Sequence, residues 1–284
     1  MKPEDFELFS TLVRQRSGLV LTPEKAYLLE SRLVPVARKH SLKSLEDLAQ
    51  SLRAKRDEAL MFDITEAMTT NESFFFRDTK PFTSFQKLLL PRLLAARAGT
   101  KQIRIWSAAS SSGQEAYSLA MVCAEEAAKL QGWKVEIIGT DLSREMVTRA
   151  KSGIYSQFEV QRGLPVTHLV KYFQQIAGDK WQVKDSLRQM VQFREGNLLT
   201  DLGISGSFDV VFCRNVLIYF DMPTKTRVLG TISGLVPTDG YLLLGGAETV
   251  LGVSDKFKII PGEHGLYVPA AASFEHIPVA AGAR

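Results

Sequence analysis

The sequence predicts an α/β protein: a doubly wound, mainly parallel sheet with an all-helical domain ahead of it and a small inserted subdomain. Three observations predict it. From residue 101 onward, apolar strand-like runs alternate with helix-forming segments, the rhythm of a parallel sheet covered by helices. Residues 1–70 carry only helical start and stop signals. Between the two lies "TTNESFFFRD", residues 69–78, where Phe74, Phe75 and Phe76 stand in a row and fit neither a helical nor an alternating strand period.

In the helical part, Phe6, Phe9, Leu12 and Val13 form an apolar stripe ended by Gly18. "LTPEKAYLLESRL" offers Thr22 as N-cap, Pro23 at the first helical position and Glu24 in the positive first turn. "HSLKSLEDLAQSL" offers Ser44 with Asp47 three residues on, and "DEALMFDITEAM" carries another stripe. In the second part, "KQIRIWSAAS" is a strand running into the helix "SSGQEAYSLAMVCAEEAAKL", and "WKVEIIGTDLS" is a strand running into a helix closed by Gly153. "MVQFREGNLL", "FDVVFCRNVLIYF" and "GYLLLGGAE" supply three further strands, with a helix near "PTKTRVLGTISGLV". "FKIIPGEHGLYVP" reads as a hairpin turning on Pro261, Gly262 and Gly265. Residues 154–190 exceed what one connection needs and predict the inserted subdomain, while the tail from about Ala270 is low in complexity and expected to be loose.

Composition narrows the function. At 284 residues, 45% hydrophobic and 23% charged, the chain has material for two folded domains. No apolar run reaches the roughly 18 residues that span a bilayer, and "MKPEDFELFS" lacks a signal-peptide core, so a cytoplasmic protein without membrane insertion is expected. Cys123 and Cys213 match no disulfide or metal spacing, and His40, His168, His264 and His276 are scattered, so no metal is expected. A net charge of +4 is too small to argue for nucleic acid. It is unevenly spread: Arg32, Arg38, Lys39, Lys43, Arg53, Lys55 and Arg56 face only Glu46 and Asp47 between residues 31 and 56, which suits either a docking face for an acidic partner or a solvated helix surface. No apolar face is left to spare, so a monomer is expected.

In a doubly wound sheet the ligand lies beyond the carboxyl ends of the strands. After the first predicted strand, "SAASSSGQEAYS" has small side chains and Gly113 in place of G-x-G-x-x-G, which weakens a dinucleotide reading. Glu115 sits in the first turn of the next helix, where it either holds a ligand's ammonium and hydroxyl donors or merely favours the helix dipole. Asp141 ends the second strand and either accepts from ribose hydroxyls or caps the following helix. Asn197 and Leu198 end the third and "CRNVLIYF" ends the fourth. Polar groups at four successive strand ends suggest a nucleoside without phosphates but with a positive amino-acid end, which describes S-adenosylmethionine better than NAD or ATP.

"TTNESFFFRD", "WSAASSSGQEAYSLA", "GTDLSREMVTRAKSGIY", "FREGNLL" and "FDVVFCRNVLIYFD" resemble, in order, the motifs of the CheR family, the chemotaxis receptor glutamate O-methyltransferases. The resemblance runs from "SGLVLTPEK" to "GEHGLYVP". It implies a helical receptor-docking domain over residues 1–70 and a linker over 71–92 that contributes to the cofactor site. It further implies a methyltransferase domain over 93–270, with an antiparallel insert at about 155–190; the low-complexity residues 271–284 are left as a flexible tail. It implies contacts to S-adenosylmethionine, or its product S-adenosylhomocysteine, from Asn71, Ser73, Arg77, Glu115, Asp141, Asn197, Leu198, Arg214 and Asn215, with Arg77 and Tyr219 at the catalytic positions. The implied partners are the cytoplasmic helices of chemoreceptors, methylated on glutamate.

Two departures stand out: Gln114 and Ala116 replace an acid and a proline common in the family, and "IAGDKWQVK" is short for a loop that captures a receptor's C-terminal tether. Tether binding is therefore not expected. The residues leave two other readings open, a methyltransferase of another substrate and a cofactor-sensing module without catalysis.

Overall fold

The computed structural model describes residues 1–200 and 202–272. The expected loose tail lies, from residue 273 on, outside the described residues.

Four helices, Pro3–Ser17, Ala26–Lys39, Leu45–Ala54 and Glu58–Ala67, form the N-terminal bundle. Their ends follow local chemistry. Gly18 closes the first in a left-handed conformation (φ 79°), its N–H donating to Arg14 O at 2.8 Å. Ser44 accepts from Asp47 N at 3.1 Å, and Asp47 in turn accepts from Lys43 N at 3.1 Å. Thr22, the expected cap, instead precedes a 3₁₀ turn over Pro23–Lys25, and its hydroxyl makes no capping bond. Phe9, Val13, Leu29, Leu33, Leu48 and Ile64 have no exposed surface and make the bundle's own core. Each such burial is worth about 1.5–3 kcal/mol relative to an exposed side chain.

The second domain is built on a seven-stranded sheet. In chain order its strands are β1 (Gln102–Ala108), β2 (Lys134–Asp141), β6 (Val191–Glu195), β7 (Val210–Cys213), β8 (Tyr241–Leu244), β9 (Phe257–Ile259) and β10 (Leu266–Pro269). The insert supplies β3 (Ile154–Ser156), β4 (Phe173–Ile176) and β5 (Lys180–Val183). Across the large sheet the order is β6-β2-β1-β7-β8-β10-β9, parallel through β8 and antiparallel at β10 and β9. The order reverses between β1 and β7, so a crevice opens above their carboxyl ends. Trp106, wholly buried in β1, donates its indole N–H to Thr140 Oγ1 at 2.9 Å and ties the two central strands together.

The insert folds as a three-stranded antiparallel sheet, β3-β5-β4, with helices Gln157–Gln161 and Val166–Tyr172 between its first two strands in sequence. β4 and β5 are joined by a three-residue turn, Ala177 to Asp179. Residues 80–96 are helical throughout, with a π-type turn over Phe85–Leu89, and bury Phe82, Phe85, Leu89 and Leu93 on the α/β core. Among the described residues no helix is long and apolar enough to cross a membrane, and no group of His, Cys, Asp and Glu is arranged to hold a metal.

Candidate active site

The three phenylalanines part company. Phe75 is fully buried, its ring 5.0 Å from Tyr155 and 5.4 Å from Phe173, both edge-on, which pins the insert to the core. Gly163 (φ 83°) lies so close beneath that a Cβ there would collide with the Phe75 carbonyl oxygen. Phe76 packs edge-on against Phe82 (5.3 Å) and His168 (5.4 Å), and its N–H donates to Ser118 Oγ at 3.0 Å. Phe74 lies under two guanidinium groups, Arg162 at 4.4 Å and Arg77 at 5.4 Å from the ring centre, and faces a cleft.

That cleft, about 950 Å³ counting its open mouth, sits above the reversal between β1 and β7. The strap over residues 69–77 crosses it, and Ser17 and Leu19 of the bundle close one side. Asn71, Ser73 and Arg77 of the strap line it together with Glu115, Asp141, Asn197, Leu198, Arg214, Asn215 and Tyr219. All ten positions singled out in the sequence are thus brought to one cavity.

Their surroundings differ. Asp141, at the end of β2, is 6% exposed and accepts from Ser111 N at 2.7 Å and Ser143 N at 2.9 Å, one bond to each oxygen. Burial pushes its carboxyl above the usual range, with Ser143 and Ser111 pulling the other way. It does not cap the next helix; Ser143 does, accepting from Met146 N at 3.2 Å. Each Asp141 oxygen therefore keeps a lone pair for a ligand hydroxyl.

Glu115 does more than favour the helix dipole: Ser107 Oγ donates to its Oε1 at 2.7 Å and Arg214 Nη1 to its Oε2 at 2.8 Å. Arg214, its side chain 1% exposed, also donates through Nη2 to Asp78 Oδ2 at 2.7 Å and to Arg77 O at 2.8 Å. One cation between two carboxylates leaves the cluster at −1, which suits a positively charged ligand end. Arg77 differs: it donates to Glu72 O at 3.0 Å and makes no close ion pair among the described residues, the Glu72 carboxylate acting on it only at longer range.

Asn197 spends its carboxamide within the protein, donating to Arg16 O at 2.7 Å and accepting from Leu199 N at 3.0 Å. It joins the end of β6 to the bundle, so the bundle's docking and the cleft's wall are one contact. Two more contacts share the seam: Val20 N donates to Tyr219 O at 3.0 Å, and Ser143 Oγ donates to Glu66 Oε1 at 3.0 Å. Ser17, Leu19, Ser110, Ser111 and Gly196 also line the cleft, without having been singled out. All five fall within stretches already notable in the sequence, "SGLVLTPEK", "SAASSSG" and "FREGNLL", but none had been assigned to the cleft.

Comparison with known proteins decides the family. Residues 71–266 match the family model described as CheR methyltransferase, SAM binding domain, and residues 4–69 match CheR methyltransferase, all-alpha domain. The chain belongs to the CheR methyltransferase family. It is similar to chemotaxis protein methyltransferase 1 of Pseudomonas aeruginosa, 42% identical over 265 residues, 92% of this chain and 96% of that one. It is 39% identical to the chemotaxis protein methyltransferase of Vibrio parahaemolyticus over 259 residues, 90% of this chain and 93% of that one. Among solved structures, a TehB-like SAM-dependent methyltransferase from Corynebacterium glutamicum covers 68% of this chain and 94% of its own at 13% identity, with a TM-score of 0.36.

This CheR methyltransferase is an S-adenosylmethionine-dependent enzyme of chemotaxis. Its cleft fits that cofactor on the protein's own account. Ser110 Oγ and Arg214 Nε, both on cleft residues, are buried with no hydrogen-bond partner among the described residues, Asp141 keeps acceptor capacity, and the Glu115–Arg214–Asp78 cluster carries net negative charge. A nucleoside bearing hydroxyls and a cationic amino-acid end suits the acceptors of Asp141 and the negative cluster.

Proposed function

We propose that this CheR methyltransferase methylates glutamate side chains on the cytoplasmic helices of chemoreceptors, forming glutamyl methyl esters. The observation that supports it is Arg77: it is a cleft cation with forked N–H donors and no close ion pair among the described residues, whereas Arg214 has two. It suits an incoming carboxylate.

In this reading Asp141 holds the ribose hydroxyls of S-adenosylmethionine and the Glu115 cluster its amino-acid end, with Asn71, Ser73, Asn197, Leu198 and Asn215 completing the wall. When bound, the cofactor supplies a methyl group on a positively charged sulfur. A glutamate side chain, with an ordinary pKa near 4.3, is already ionised at neutral pH, so the acceptor needs no general base. What the protein must supply is alignment and a dry path. Arg77 orients the acceptor carboxylate, Tyr219 positions it from the opposite strand loop, and Phe74 keeps water from the approach.

We place the enzyme in the cytoplasm as a monomer that does not bind nucleic acid and does not insert into the membrane. The three-residue β4–β5 turn gives no loop with which to grip a receptor's C-terminal tether, so no micromolar affinity for such a peptide is expected. Incubation with radiolabelled S-adenosylmethionine and receptor-containing membranes tests the whole reading. Base-labile label on the receptor supports it; label on RNA, or none, overturns it.

A further inference from the structure

The Glu248 carboxylate is 5% exposed and lies outside the cleft wall. It faces no cation in the described structure; four main-chain N–H groups hold it. Gly245 N and Asn215 N donate to Oε2 at 2.7 and 2.8 Å, and Val216 N and Ile218 N to Oε1 at 2.9 and 3.3 Å. These donors come from the two segments leaving the neighbouring strands β7 and β8, where no strand ladder satisfies them. A carboxylate is the one side chain that offers acceptors on both oxygens and no donor, and bonds to its charge are the strong kind.

The seat is tight. Asn215 is held at φ 60°, which a non-glycine residue adopts only where its surroundings impose it. A Cβ on Gly245 would stand 2.8 Å from both Asn215 Nδ2 and Glu248 Oε2, so no larger residue shares the space. The segment gripped in this way carries Arg214, Asn215 and Tyr219 along the cleft.

We infer that Glu248 is a positioning residue for methyl transfer, fixing the Asn215–Tyr219 segment from beneath through its four main-chain bonds. This rests on the reading of the cleft as the methyl-transfer site. Glutamine keeps the shape of the side chain but turns one acceptor oxygen into a donor that faces two N–H groups.

The test compares wild type with Glu248→Gln well below both unfolding transitions, measuring transfer rate per folded molecule, receptor KM and S-adenosylhomocysteine affinity by calorimetry. The expected result is a fall in kcat on the order of 10–100-fold with receptor KM unchanged, the scale of a small misplacement of reacting groups. A folded variant with wild-type kcat overturns the inference, because a merely structural carboxylate lowers the melting temperature alone. Gly245→Ala, which keeps the carboxylate and crowds Oε2, is expected to lower kcat in the same way, and normal turnover there also counts against it.

Hydrogen exchange in the wild type needs no variant to fold: the amides of Asn215, Val216, Ile218 and Gly245 are expected to be protected, and exchange at open-loop rates overturns the inference. A wild-type protein that binds S-adenosylhomocysteine but shows no effect of Glu248 refutes only the positioning role. A wild type that binds none refutes the reading beneath it.

Discussion

Arg214 Nη1 lies 2.8 Å from Glu115 Oε2, joining the end of β7 to the first turn of the helix after β1 across the point where the sheet's strand order reverses. The pair is buried on the arginine side and shared with Asp78 of the strap. Three elements therefore meet on one guanidinium. Arg214→Met removes the cation and leaves Glu115 uncompensated. The expected cost is about 3 kcal/mol by urea denaturation, with loss of S-adenosylhomocysteine binding in calorimetry. Stability equal to wild type would show that the pair contributes nothing.

Asp141 makes a prediction about pH. Burial raises its folded carboxyl above the unfolded value, so the folded state holds a proton that the unfolded chain has already released. Its contribution is fully favourable below the usual carboxylate range and is lost as pH rises through the raised value. The stability of wild type relative to Asp141→Asn is therefore expected to fall as pH is raised from the acid end. Urea midpoints measured across that range check the sign; a difference independent of pH contradicts it. Asparagine is also expected to weaken S-adenosylhomocysteine binding, having one fewer acceptor.

The basic stretch over residues 31–56 suited either a docking face or a solvated surface, and within it Arg53 lies 2.7 Å from the buried Asp5 and Arg56 lies 2.9 Å from Glu58. Arg53→Glu is expected to cost about 2 kcal/mol of stability, because it strips a buried carboxylate of its partner. The exposed Lys43 and Lys55 have no carboxylate partner in the described structure. Lys43→Glu and Lys55→Glu are expected to raise receptor KM with thermal stability and cofactor affinity unchanged. Equal loss of all three would move the receptor contact elsewhere.

Gly163→Ala tests the strap. The left-handed backbone and the Phe75 carbonyl together leave no room for a methyl group, so a destabilisation of about 3 kcal/mol is expected. Limited proteolysis is expected to open the chain near Phe74 to Arg77. Unchanged melting and protease resistance would show that the insert does not hold the strap down.

The alternation of strand and helix and the helical bundle could be read from the sequence because each rests on local pattern; Glu115, Asp141, Asn197 and Leu198 stood out at strand ends, while Asn71, Ser73, Arg77, Arg214, Asn215 and Tyr219 were legible only through the family resemblance. Choices between alternatives could not be read. Whether Asp141 or another residue capped the helix was settled by Ser143 two positions later, and both were chemically competent. Glu248 escaped notice because a single acid in "GGAETV" looks like a surface residue until the chain folds its donors around it. Pairings such as Arg53 with Asp5 join residues 48 apart in sequence, and no periodicity announces them. Of the expected linker over 71–92, five residues, Asn71 to Phe74 and Arg77, line the cleft, while residues 80–96 are a helix packed on the core.

Because Ser17 and Leu19 wall the cleft and Arg16 O receives Asn197, the helical bundle is a structural component of the catalytic chamber as well as a neighbour to it. Bundle and cleft are consequently not separable modules. A chimera that borrows another protein's bundle to redirect the enzyme inherits a rebuilt chamber, and its rate constants will change even toward a substrate that both parents accept.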